Sequence, residues 1–102
     1  MLASFSVAPF GIGEGLGEFV AGMMPLIEAS GLPFKLGAMQ TTIEGDEAEV
    51  MQLIISCHRY MREKAPRVVT HIAIDDRAGA TSRLEGKVQD VERILGRELR
   101  HE

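Results

Sequence analysis

The sequence predicts a single α+β domain whose elements run β-α-β-β-α-β. Three observations carry that expectation. Leu2–Pro9 and Arg67–Asp75 alternate with period two, as half-buried strands do. Two segments between them place apolar residues at helical spacing. Separating these helices are two short runs, Phe34–Ala38 and Thr41–Glu44, with a tight connection near Met39-Gln40.

In the first strand Phe5 and Val7 point one way and Ser4 and Ser6 the other, and Pro9 is expected to end it. A glycine-rich loop, Gly11 to Gly17, follows. Leu16, Phe19, Val20, Met23 and Ile27 then mark the apolar stripe of the first helix. Gly31 suits the left-handed residue after a helix end, and Pro33 forbids continuation. Pro25 lacks an amide donor and its ring crowds the carbonyl of Ala21, which predicts a kink. Asp46 and Glu49 form a capping box that opens the second helix. Val50, Leu53, Ile54, Cys57 and Met61 share one face of it, while Glu49, Gln52, Arg59 and Glu63 share the reverse, and Pro66 marks its end.

The last strand sets Val68, Ile72 and Ile74 against Val69, His71, Ala73 and Asp75. Asp76–Thr81 reads as a polar loop. Ser82 and Glu85 form a second capping box, before a short C-terminal helix on Leu84, Val88, Val91 and Leu95. Residues 1–96 are thus expected to form one domain and 97–102 a charged, frayed tail. Right-handed crossovers put both long helices on one face of a four-stranded antiparallel sheet. The first and third strands then lie in the middle, which is the ferredoxin-like arrangement.

A chain of 102 residues supports one compact core. With no Trp and one Tyr, that core must come from Val, Ile, Leu, Met and four Phe. A formal charge of −4 argues against a nucleic-acid surface and tolerates a cationic ligand. The single Cys57 excludes an internal disulfide and a cysteine-based metal site within one chain. No signal peptide is visible, and no apolar run approaches the ~18 residues of a membrane helix. The expected location is the cytoplasm.

The sheet face away from the helices carries the most chemical information. It holds Ser4 and Ser6, Thr42 and Glu44, and Val69, His71, Ala73 and Asp75. Small hydroxyls, carboxylates and an imidazole among apolar neighbours suit a face covered by another subunit or by a ligand. Burying such a group without a partner costs about 1–3 kcal/mol, so these side chains should pair across that contact. Glu44, beside Gly45, reads either as a salt-bridged strand end or as an acceptor for an aminopyrimidine. The glycine loop invites a phosphate reading, but Leu16 occupies the third glycine position of the dinucleotide fingerprint and Glu14 would repel an anion. His58 has no histidine partner one turn away, His101 lies in the tail, and Cys57 reads as packing. Asp75 and Asp76 alone offer too few oxygens for Mg²⁺ or Ca²⁺. The alternative to a binding module is a small cofactor-free enzyme using His71 and Glu44 as acid and base.

Several short stretches in a fixed order resemble the family of short, single-domain thiamine-binding proteins, also linked to hydroxymethylpyrimidine. They are Ser6-Val7-Ala8-Pro9-Phe10-Gly11, Phe19-Val20, Ser30-Gly31-Leu32 and Thr41-Thr42-Ile43-Glu44-Gly45-Asp46. His58, Arg67-Val68-Val69-Thr70, Ile74-Asp75-Asp76-Arg77 and Lys87-Val88 continue the series. The resemblance implies a ferredoxin-like fold, dimers or tetramers built by sheet contact, and binding of thiamine through its pyrimidine, with no known catalysis and no cofactor beyond thiamine as ligand. The motif positions make Ser6, Thr42, Glu44 and Asp75 the expected ligand contacts, joined by His71 on the same face and by Phe19 as an apolar wall. Gly15 and Gly17 stand where the family often has serines, and Pro25 is unusual, so ligand preference here is open to change.

Overall fold

The computed structural model describes residues 1–11, 16–79 and 84. The order is β1 (Leu2–Phe10), α1 (Leu16–Ala29), β2 (Phe34–Leu36), β3 (Thr41–Glu44), α2 (Glu47–Lys64) and β4 (Arg67–Asp75). The four strands form one antiparallel sheet in the order β2-β3-β1-β4, so β1 and β3 are central as expected. Both helices pack on the face that carries Ala3, Phe5 and Val7. The rest of the glycine loop, most of the expected C-terminal helix and the tail lie outside the described residues.

Each helix forms for a local reason. The Asp46 carboxylate accepts the Glu49 amide at 2.9 Å and so caps α2. That bond holds the Asp46 pKa below its ordinary value, whereas sharing a hydrogen bond with Asp46 raises that of Glu49. The buried face of α2 is Val50, Leu53, Ile54, Cys57 and Met61, the set its periodicity marks. Met23 and Ile27 of α1 join these residues, with Phe5 and Ile43 of the sheet beneath. Gly31 follows α1 with φ of 73°, the left-handed geometry its sequence position calls for.

Two expectations need correction. Strand β1 does not end at Pro9 but runs to Phe10, with Pro9 opposite Val68 and Phe10 opposite Arg67. Strand β2 stops at Leu36 rather than Ala38, because Gly37 donates to the Gln40 carbonyl at 2.9 Å and turns the chain early. α1 contains Pro25 on its exposed side and ends at Ala29, as the sequence leads one to expect.

Candidate functional site

The helix-free face is a grid fixed by register. Asp75, Leu2 and Glu44 form one row across β4, β1 and β3. Ala73, Ser4 and Thr42 form the next, extended by Lys35 of β2, and His71 and Ser6 the third. Ser6, Thr42, Glu44, His71 and Asp75 therefore do share the face, as their alternation requires. They do not converge on one point. Ser6 and Leu2 are four residues apart along β1, so the Ser6–His71 row and the Glu44–Asp75 row are separated by about 13 Å.

Phe19 lies in the other layer. It packs against the core from α1 and lines a shallow recess of about 180 Å³ with Glu18, Tyr60 and Lys64. The Lys64 ammonium stands 5.0 Å over the Tyr60 ring there. Glu44 is half-buried, and its carboxylate accepts the Leu84 amide at 3.3 Å. His71 and Asp75 are exposed on the edge strand. His58 bridges layers: its Nδ1 lies 2.6 Å from the Thr70 hydroxyl, tying α2 to β4.

At the Ser6 end the sheet is incomplete. The pairing of β1 with β3 stops at Phe5 opposite Thr41, although β1 continues for five further residues beside β4. A cavity of about 330 Å³ occupies the position β3 leaves open, within the size range of small-molecule sites. Ser6 and Val7 of β1, Val20 and Met23 of α1, Leu36 of β2 and Gln40 of the β2–β3 connection line it. Gln40 is hydrogen-bonded to the Ser4 hydroxyl, which anchors that connection to the sheet. The apolar walls and few polar groups fit a flat organic ring better than a metal. Among the described residues no cluster of three or more His, Cys, Asp or Glu could hold a metal ion.

Of the expected contacts, only Ser6 lines this cavity. Sequence reasoning did not reach Met23, Leu36 or Gln40, which meet only through tertiary packing. One signal was available: a proline inside a strand marks a side without a ladder, and Pro9 does so here.

Comparison with known proteins places the fold in a family. A family model described as thiamine-binding protein matches residues 3–92. A UPF0045 protein of Mycobacterium bovis is 44% identical over 96 residues, covering 93% of this chain and 94% of the relative. The crystal structure of a hypothetical protein from Methanocaldococcus jannaschii superposes with a TM-score of 0.81 at 26% identity, covering 88% of this chain and 93% of that one. A Thermotoga maritima structure, described provisionally as a thiamine biosynthesis or salvage protein, gives a TM-score of 0.76 at 29% identity over 88% of this chain and 96% of that one. With its fold shared and its family model matched from β1 to beyond β4, the chain belongs to the thiamine-binding protein family.

Proposed function

We propose that this chain binds thiamine, or its hydroxymethylpyrimidine half, without transforming it, in the cavity beside Ser6 and Val7 at the open edge of β1. The observation that carries the reading is the cavity of about 330 Å³ where β3 stops short of β1. It offers apolar walls for a ring, with Ser6 among its lining residues. Family membership supplies the ligand class, and a net charge of −4 suits the thiazolium cation. A cytoplasmic protein with no resident cofactor is part of the same reading.

Acid–base catalysis by His71 and Glu44 fits the register poorly. The two residues lie two strands and four positions apart, so their backbones are about 15 Å or more from one another. That span is too long for both to act on one proton.

Assembly belongs to the proposal. Strand β4 is an edge of nine residues with neither Pro nor Lys, the usual guards of an unpaired edge. Antiparallel pairing with a second copy about His71 would set Arg67 opposite Asp75 at both ends.

Calorimetry and thermal shift with thiamine test the ligand. At ~100 times the dissociation constant, binding should stabilise the fold by about 2.7 kcal/mol. An unchanged melting curve at millimolar thiamine would remove the basis for the reading.

A further inference from the structure

We propose that the peptide N–H and C=O of Val7 form the recognition edge of this cavity, and that they bind a planar heteroaromatic ring through an acceptor nitrogen beside a donating exocyclic amine. The inference rests on the ligand reading above and adds the group that does the recognising.

The ladder itself gives the direction of that peptide. The Met1 nitrogen donates to the Gly45 carbonyl at 2.8 Å, and the Gly45 amide donates to the Met1 carbonyl at 3.1 Å. Met1 and Gly45 are therefore a hydrogen-bonded pair. Antiparallel pairs alternate, so Ala3 with Ile43 and Phe5 with Thr41 are hydrogen-bonded pairs too. Odd-numbered residues of β1 turn their peptide groups toward β3, and even-numbered ones toward β4. The next odd residue is Val7, and residue 39 would stand opposite it. By then the chain has turned away: Gly37 bonds to Gln40, and Met39 is 87% exposed. The β1–β3 pairing ends with Phe5 and Thr41, so β3 offers the Val7 peptide no ladder partner on that side.

Pro9 supports the same geometry independently. It is the next odd residue, it lacks an N–H, and it sits within β1 in register with Val68. A strand accepts proline where no ladder bond is needed. Val7 is only 7% exposed, and peptide groups in so dry a setting need a partner. Extended backbone holds the N–H and C=O of one residue side by side, pointing the same way. An acceptor nitrogen next to an amine presents the matching edge. Val20 and Met23 offer apolar surface to the ring, and Ser6 also lines the cavity.

Polarity makes the idea testable. Replacing the amine by oxygen, as in oxythiamine, reverses donor and acceptor along that edge. Restoring the match would turn the ring over and send the thiazolium to the opposite side. In ¹⁵N–¹H spectra of the full chain, saturating thiamine should move the Val7 amide proton downfield and slow its exchange. Oxythiamine should bind at least about tenfold more weakly. Thiamine that saturates the protein while leaving the Val7 amide unmoved overturns this inference alone, and so does oxythiamine binding as tightly as thiamine. Thiamine that moves no resonance at millimolar concentration overturns the ligand reading and this inference with it.

Discussion

Gly31 and Cys57 show how single residues answer to different physics. Gly31 has φ of 73° and nothing within 4 Å of where a Cβ would stand. Its replacement by Ala meets no neighbour, only a backbone shape that side chains resist. Gly31→Ala should cost about 1 kcal/mol, read as a lower melting temperature. Cys57 is buried, and desolvation pushes its thiol up to about 11. The thiolate is the nucleophile, so Cys57 should resist alkylating reagents at pH 8 until the protein unfolds. Reaction of the native protein as fast as of the denatured one would refute this. Gly37 belongs to the same scale: an added Cβ would lie 2.8 Å from the Gln40 carbonyl oxygen, a backbone atom that cannot move aside cheaply. The tight turn that opens the cavity thus depends on one missing side chain.

At the scale of elements, caps and stripes governed the helices. α2 begins at Asp46 and buries its periodic apolar face because a local bond and a 3.6-residue repeat both require it. The cap carries a pH signature. The folded pKa of Asp46 lies below its ordinary value, so its stabilisation is present above the ordinary value and is lost as pH falls through the folded one. The melting temperature of Asp46→Ala should therefore fall below the parent's at neutral pH, and the gap should narrow below about pH 4. A gap that widened on acidification would contradict the capping account. Strands were less fully legible. The alternation of β1 gave its two faces, but Pro9 was misread as a stop. Proline prohibits a ladder bond on one side only, and a sequence does not say which side a neighbouring strand occupies.

At the scale of the whole molecule, the sheet order leaves β4 on the outside. Ile72 and Ile74 share the helix-side face of the strand and are 41% and 49% exposed. Ile55 on α2 is 43% exposed as well. Such an edge is a template for another strand. The protein should sediment as a dimer or larger at high micromolar concentration, and Ile72→Lys should shift it toward monomer. A parent that stays monomeric throughout the concentration series would dismiss the assembly. No helix among the described residues is long and apolar enough to cross a membrane.

The sequence by itself determined the element order, the buried face of α2, the cap at Asp46, the left-handed Gly31 and the set of side chains on the helix-free face. These depend on periods and bonds that reach only a few residues along the chain. Its family membership was also legible, because motif order is a property of sequence. Only the tertiary structure decided where a cavity opens beside β1. It separated Ser6 and His71 from Glu44 and Asp75, placed Phe19 in the other layer, and opened a cavity where β3 ends before β1 does. The reason is that register and strand length are set by pairing between segments more than thirty residues apart. No local pattern along β1 records how far its neighbour runs beside it.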